Sequence, residues 1–371
     1  MSLRGGVSAM RVKKERIEYL DLLKGISIIL VVFCHKVTLS SDTILGNIIM
    51  ATAWAAVPNF FFVTGGLMHQ SKELKWEKYL KKVFRAYVVL CIWKLLYLLF
   101  YSAFQEITFS KIDLVKYLFM FGDISGVETG HLWFMYAYLF VLLFYPISWF
   151  LFKNEKDGHP ILIFLLVILF AGSILVTSCN FIFKVISDLT GIGQLTISVL
   201  AVFPFGRYGN MLFFFIAGGF LLFYREKIKK VMDTRNLNLW FPILTIIIGT
   251  LGLVFVKHYE TGTFTWNNTY LTNGYSRLMT AVLSLGLYLL IQNLPVKKVG
   301  RFLAKWFGTN TMGIYYLHMP LLVFFQVNLG PYFEEYYSFG ANILKTFVAL
   351  LICTGITLVL KRIPGLKVLV E

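Results

Sequence analysis

The sequence predicts an all-α integral membrane protein with about ten transmembrane helices. Of its 371 residues, 58% are hydrophobic and only 15% are charged, and apolar runs of about 18–22 residues recur along the chain. A run of this length crosses a hydrocarbon core as a helix, because every backbone polar group in lipid needs a hydrogen-bond partner inside its own segment. The short alternating segments of a membrane β-barrel do not occur in the sequence.

The predicted spans lie between clusters of polar residues. They cover residues near 19–39, 46–69, 84–105, 131–152, 160–178, 208–224, 239–257, 276–292, 309–328 and 341–360. Short loops rich in Lys and Arg remain on the cytoplasmic side of a membrane. Because 25 of the 35 Lys and Arg residues fall in the two terminal segments and in alternate loops, both termini are predicted to be cytoplasmic.

The domain organisation is predicted to be one membrane domain, 19–360, between a cytoplasmic segment, 1–18, and a cytoplasmic tail, 361–371. Residues 1–18 lack an apolar core and do not resemble a cleaved signal peptide, while residues 1–9 are compatible with an added expression remnant. The net charge of +16 comes from short basic loops, so we expect contact with anionic lipids of a plasma or inner membrane and not with nucleic acid. The four cysteines are scattered and predict no metal or disulfide site.

The first predicted span carries three ionisable groups on one face. Lys24 and His35 are 11 residues apart, so their side chains point within about 20° of each other, roughly 16 Å apart along the helix. Asp21 lies three residues before Lys24 on nearly the same face. Such groups are costly at membrane depth and usually face a bundle interior or a watery cavity. The alternative is an interfacial pair of Asp21 and Lys24, with His35 bonded to a neighbouring helix.

The segment "RIEYLDLLKGISIILVVFCH" resembles the first helix of the membrane acyltransferase-3 family, whose members acylate glycans and lipids of the cell envelope. The family hallmark is a basic residue, ten intervening residues and a histidine, and Lys24 and His35 match it. Four further segments of this sequence resemble family motifs and occur in the same order as in the family. They are "PNFFFVTGG" at 58–66, "KKVFRAY" at 81–87, "HLWFMYAYLF" at 131–140 and "GTNTMGIYYLHMP" at 308–320. Lysine replaces the more usual arginine at 24 and 82, and it lacks the planar fork that grips carboxylates and phosphates.

The resemblance implies transfer of an acyl group, expected to be acetyl, from cytosolic acyl-coenzyme A (acyl-CoA) to a hydroxyl of an envelope polysaccharide or lipid-linked glycan. His35 is the expected catalytic residue, either as the base or as the carrier of the acyl group. Lys24 and Asp21 are expected to support it. Lys82 and Arg85 are candidates for binding the phosphates of CoA, although both also suit a basic loop that sets the topology.

Five further residues are candidates for substrate binding. They are Lys94, His131, Trp133, Asn310 and His318. Lys94 and His318 lie near the middle of predicted spans, and Lys94 should face a cavity or a carboxylate. An interfacial position for His131 and a helix cap at Asn310 remain open.

The competing function is a transporter or flippase of lipid-linked saccharide, which would also need charges inside the membrane. Against it, the sequence lacks paired broken helices repeated between two halves. A non-catalytic membrane scaffold does not account for the ionisable face of the first span. The sequence leaves the oligomeric state and the acceptor sugar open.

Overall fold

The structure is a computed structural model that describes residues 16–35, 44–198, 205–261, 274–333 and 339–371. These residues form helices joined by turns and loops, and no strand occurs among them, which confirms the predicted all-α class. Within these ranges, seven helices are long and apolar enough to cross a membrane, or up to eight if the bent pair Leu278–Asn293 and Lys298–Gly308 is one span. The count of ten and the side of the termini stay predictions.

A helix lies at each of the ten predicted positions. In chain order the helices are α1 (Glu18–Cys34), α2 (Ile44–Ala53), α3 (Ala56–His69), α4 (Trp76–Ser102), α5 (Lys111–Phe119), α6 (Trp133–Lys153), α7 (Gly158–Leu169), α8 (Val176–Thr190), α9 (Gly209–Phe223), α10 (Arg225–Thr234), α11 (Trp240–Thr261), α12 (Leu278–Asn293), α13 (Lys298–Leu303), α14 (Thr311–Phe333) and α15 (Phe339–Leu360). The predicted end of the first span, 36–39, lies outside the described residues.

Helix α1 is surrounded by other helices. It packs against α2, α3, α12, α13, α14 and α15, and against the π-helical turn Ala304–Gly308. Its apolar residues Leu20, Leu23, Ile28 and Val32 are fully buried. Because neighbouring helices shield α1, its polar face lies inside the protein and avoids the cost of charge in hydrocarbon.

Helices α3 and α9 approach each other at backbone distance. A Cβ atom added at Gly65 would lie 1.7 Å from the carbonyl oxygen of Phe215, and one added at Gly218 would lie 2.1 Å from that of Phe62. Small residues permit this close approach between membrane helices, whose association depends on van der Waals packing. The contact holds α3 rigidly, and α3 presents Thr64 to the cavity described below.

Candidate functional site

A cavity of about 850 Å³ opens beside α1, and both Lys24 and His35 line it. The two side chains that helical spacing places on one face therefore meet the same space. Thr64 and Thr311 also line this space, and Lys24 lies towards the predicted cytoplasmic end of α1. The other walls come from α2, α6, α14 and the segment 123–131. We call this space the His35 cavity.

Three imidazole rings lie together beside the His35 cavity, where His35 and His131 line the space and His318 is fully buried behind them. The ring centroid of His35 lies 5.0 Å from that of His318 and 6.4 Å from that of His131, and the latter two centroids are 5.5 Å apart. Each pair is arranged edge to face. These residues come from α1, from α14 and from the 3₁₀ turn Gly130–Leu132 before α6. We call them the histidine cluster, which is an arrangement that the sequence alone did not predict.

Hydrogen bonds fix the tautomers of two of these rings. The Nδ1 atom of His35 lies 2.6 Å from the carbonyl oxygen of Val31, and that of His318 lies 2.6 Å from the carbonyl oxygen of Tyr315. Because a carbonyl oxygen can only accept, Nδ1 must carry the proton in both rings. In a neutral ring the basic nitrogen is then Nε2, so His35 has the tautomer that a general base needs.

The third ring is fixed in the opposite tautomer. The Tyr97 hydroxyl donates its only proton to the carbonyl oxygen of Tyr316 at 2.7 Å, so its oxygen must accept from Nε2 of His131, 2.8 Å away. The basic nitrogen of neutral His131 is therefore Nδ1. The Tyr315 hydroxyl also donates to the carbonyl oxygen of His131 at 2.9 Å. Sequence reasoning missed Tyr97, because one tyrosine in an apolar helix carries no visible signal.

Metal binding is not indicated by this arrangement. Among the described residues, no group of three or more His, Cys, Asp or Glu side chains is placed to hold a metal ion.

Asp21 lies at the Lys24 end of α1 and is buried, with 7% of its surface exposed. Its carboxylate accepts from Lys24 at 2.8 Å and also bonds Arg16. The carboxylate is thus neutralised on two sides, and it does not line the His35 cavity, whereas Lys24 does. The geometry makes Asp21 the partner that orients Lys24.

Lys94 is almost fully buried, but it does not line the His35 cavity. Its ammonium donates to the carbonyl oxygen of Gly122 at 2.8 Å and to the Tyr136 hydroxyl at 3.1 Å, and it lies 4.5 Å from the centre of the Tyr117 ring. The direct contacts of Lys94 are therefore a carbonyl and aromatic rings, and the Asp123 carboxylate lies close enough to attract its charge, which agrees with the expected carboxylate. Lys94 thereby fixes the position of Gly122, and the next residue, Asp123, lines the cavity.

Asn310 also lies away from the cavity lining. Its amide donates to the carbonyl oxygen of Trp306 at 2.7 Å, and its side-chain oxygen accepts from Lys361 at 2.7 Å. Lys361 follows α15, and burial lowers the pKa of its ammonium. These contacts tie the turn before α14 to the end of α15, which is a structural role different from the helix cap considered from the sequence.

Trp133 lines the His35 cavity within a group of aromatic rings. Its ring centroid lies 5.1 Å from that of Tyr275, which lies 4.6 Å from that of Trp54. Trp54 sits at the short break between α2 and α3, inside the candidate membrane span Gly46–His69, which matches the predicted span 46–69. The segment 123–131 adds the carboxylates of Asp123 and Glu128 to the same cavity.

Lys82 lines a second cavity of about 490 Å³ at the start of α4. Four lysines line this space, which we call the basic groove: Lys72, Lys75, Lys78 and Lys82. The Lys82 ammonium lies 5.9 Å from the centre of the Tyr138 ring, and Tyr138 lines the His35 cavity, so the two spaces adjoin. Arg85, three residues later on α4, is exposed and lines neither of these cavities.

Comparison with known proteins gives one clear result. A family model described as an acyltransferase domain matches residues 17–362, nearly the whole chain. No curated protein matches the sequence. The matched range includes all helices that build the His35 cavity and the basic groove.

Proposed function

Because the chain belongs to the acyltransferase 3 family, we propose that it transfers an acyl group, expected to be acetyl, from cytosolic acyl-CoA to a hydroxyl of an envelope polysaccharide or lipid-linked glycan. The observation that carries this proposal is the His35 cavity, which extends along α1 from Lys24 to His35. That separation is roughly 16 Å along a helix. A donor entering at one end and an acceptor entering at the other would meet at an imidazole.

His35 is the proposed catalytic residue. Its Nε2 atom takes the proton of the acceptor hydroxyl while the oxygen attacks the thioester carbon, and the C–S bond breaks to release the CoA thiolate. Attack by His35 itself, through an acyl-imidazole, is the other route that suits this tautomer. Both routes need the same unprotonated nitrogen, which the bond from Nδ1 to Val31 secures.

The basic groove is the proposed site for the phosphates of CoA. Lysine ammonium groups suit phosphate oxygens, although Lys75 is paired with Glu73, which also lines the groove. Phosphates that stay in this groove avoid the cost of burying their charge in lipid. The adjoining Tyr138 marks where the pantetheine arm would pass towards His35. Arg85 lies about one helical turn from Lys82 on the same helix, and because it does not line the groove, Lys82 is the stronger candidate for the phosphate contact.

Replacement of Lys82 by alanine is expected to raise the KM for acyl-CoA about tenfold, because one charge-assisted contact is worth roughly 1.5–3 kcal/mol. The value of kcat should hardly change if the contact is equal in the ground and transition states. Steady-state kinetics with acyl-CoA varied provide the measurement. The matched control is Lys81→Ala on the same helix, because Lys81 pairs with Glu77 and lines neither cavity. A collapsed kcat at unchanged KM in the Lys82 variant would contradict the proposed phosphate contact.

Replacement of Lys24 by arginine is expected to preserve transfer, whereas Lys24→Ala should abolish most of it. The proposed reason is that the cavity needs a cation at this end, both for the donor and to balance Asp21, which lies 2.8 Å away. Rates of both purified variants at saturating acyl-CoA provide the measurement. Normal turnover by Lys24→Leu would instead support the simpler view of an interfacial ion pair.

The aromatic group at the cavity is the proposed contact for the acceptor glycan. Trp133, Tyr275 and Trp54 offer flat apolar faces, and Asp123 and Glu128 offer acceptors for sugar hydroxyls. This combination supports a polyhydroxylated acceptor. Trp54 precedes α3 and Trp133 begins α6, whereas the basic groove lies at the end of α3 and the start of α4, so the acceptor would bind at the end of the cavity away from the basic groove.

The direct test of the proposed reaction uses purified protein with acetyl-CoA labelled in the acetyl group and a glycan fraction extracted from the cell envelope. We expect label in an alkali-labile ester on the glycan. Movement of unmodified lipid-linked glycan across a reconstituted membrane, without any label transfer, would instead support the flippase alternative.

A further inference from the structure

Two buried nitrogens beside His35 lack hydrogen bonds. Nδ1 of His131 and Nε2 of His318 are inaccessible to solvent, and neither finds a partner within the described part of the chain. A buried polar atom without a partner costs about 1–3 kcal/mol. Several other buried polar atoms of this protein also find no partner among the described residues, and a catalytic role is one of the accepted reasons for such an atom. Here both atoms belong to rings that contact His35.

Among the titratable rings in contact with His35, those of His131 and His318 offer proton acceptors, while the carboxylates of Asp123 and Glu128 are further acceptors on the cavity wall. The hydroxyl protons of Tyr97 and Tyr315 are committed to carbonyl oxygens, and the Cys34 thiol donates to the carbonyl oxygen of Val31. Other titratable or charged groups that line the same cavity are Lys24, Asp123, Glu128, Tyr138, Arg207 and Tyr275. The rings in edge-to-face contact with His35 are those of His131 and His318.

We propose that His131 and His318 are positioning residues that share with His35 the proton removed from the acceptor. This inference rests on the proposed acyl transfer. The acceptor O–H bond breaks and its proton passes to Nε2 of His35, while the new C–O bond forms and the thioester C–S bond breaks. The protonated His35 ring then donates to one of the two lone pairs, and the cluster finally returns the proton to the CoA thiolate.

The proposal explains why the outward nitrogens of all three rings are anchored. Val31, Tyr315 and Tyr97 hold one N–H group of each ring away from the cluster. The lone pairs of His131 and His318 therefore stay available for a proton that arrives at His35. The cost of leaving them without a partner in the resting protein is offset when the proton enters the cluster.

Two substitutions remove the basic ring nitrogen while preserving the N–H group that anchors the side chain. The variant His131→Gln places an amide nitrogen near the former Nε2 position, so its side chain can still donate to Tyr97. The variant His318→Asn places an amide nitrogen near the former Nδ1 position, so it can still donate to the carbonyl oxygen of Tyr315. The control is His69→Asn, because His69 is a buried histidine outside the cluster whose Nδ1 and Nε2 both have partners, Gly65 and Ser148.

The kinetic arm measures kcat and KM for acyl-CoA in the three variants. We expect kcat to fall about tenfold or more in His131→Gln and in His318→Asn, with KM within about twofold of the parent value, because the shared proton matters only during the chemical step. The His69→Asn variant should retain the parent kcat. Parent-like kcat in both cluster variants would overturn the proposal.

The second arm does not depend on acyl transfer. Protein labelled with ¹⁵N-histidine is titrated from about pH 8 down to the lowest pH at which it stays folded, and the ring signals are followed by NMR. We expect the signals of His35, His131 and His318 to move together at one midpoint, as coupled sites do, while that of His69 does not join them. Independent midpoints, or movement of His35 alone, would overturn the shared proton. A common midpoint in a protein without transferase activity would overturn the proposed function while supporting the shared proton.

Discussion

Replacement of His35 by alanine is expected to lower kcat for acyl transfer by about 10²–10⁴-fold, because the reaction loses its general base. The same loss is expected if His35 carries the acyl group, since no other described histidine combines a place in the cavity lining with an unprotonated Nε2. The measurement is transfer of labelled acetyl groups under saturating donor. Thermal unfolding of the variant in detergent should be close to that of the parent protein, because the His35 side chain is only half-buried.

The neighbouring residue supplies the matched control for His35. Cys34 also lines the cavity, and its sulfur lies 3.7 Å from Nδ1 of His35. Cys34→Ala removes a side chain from the same place and leaves the imidazole present, so it should retain most of the transfer rate. Substantial transfer by well-folded His35→Ala protein would remove His35 from the mechanism.

Replacement of Gly65 by valine is expected to cause the largest loss of stability. The first added carbon would lie 1.7 Å from the Phe215 carbonyl oxygen, so α3 and α9 must separate along their contact. Overpacking of a well-packed interior costs about 1–3 kcal/mol, and more when the backbone must move. We expect a clear fall in the apparent melting temperature of the purified protein, together with lower yield.

Gly355 provides the control for this effect. It lies in α15, and a Cβ atom added there would meet nothing within 4 Å. Gly355→Ala should therefore leave the melting temperature within about 1 °C of the parent value, and it even gains helix propensity. A Gly65→Val protein as stable as the Gly355→Ala protein would contradict the close contact of α3 with α9.

The length of the apolar runs predicted the helical class, and helical periodicity predicted the shared face of Lys24 and His35, because both follow from local geometry. Each apolar run became a helix, and an 11-residue separation placed both side chains at one cavity. The family was also predicted from the sequence, since its motifs are short and lie in a fixed order. The match of the acyltransferase family model to residues 17–362 confirms that prediction.

The histidine cluster could not be predicted in the same way. His35 and His318 are far apart in the sequence, and their 5.0 Å centroid separation depends on how α1 packs against α14. The contact of Lys94 with Gly122 could not be predicted either, because Lys94 donates to the backbone carbonyl oxygen of Gly122 and every residue has such a group. Tertiary packing decided both, whereas helical periodicity describes one helix at a time.

The central claim, that acyl groups pass from a cytosolic donor to an acceptor on the opposite side through the His35 cavity, is tested most directly with sealed membrane vesicles. Acetyl-CoA with a labelled acetyl group does not cross a membrane, so it reaches the basic groove from outside only in inverted vesicles. We predict ester-linked label on the envelope glycan enclosed in inverted vesicles, no label with right-side-out vesicles, and none with His35→Ala protein in either. Equal labelling in both orientations, or labelling that persists without His35, would contradict the account.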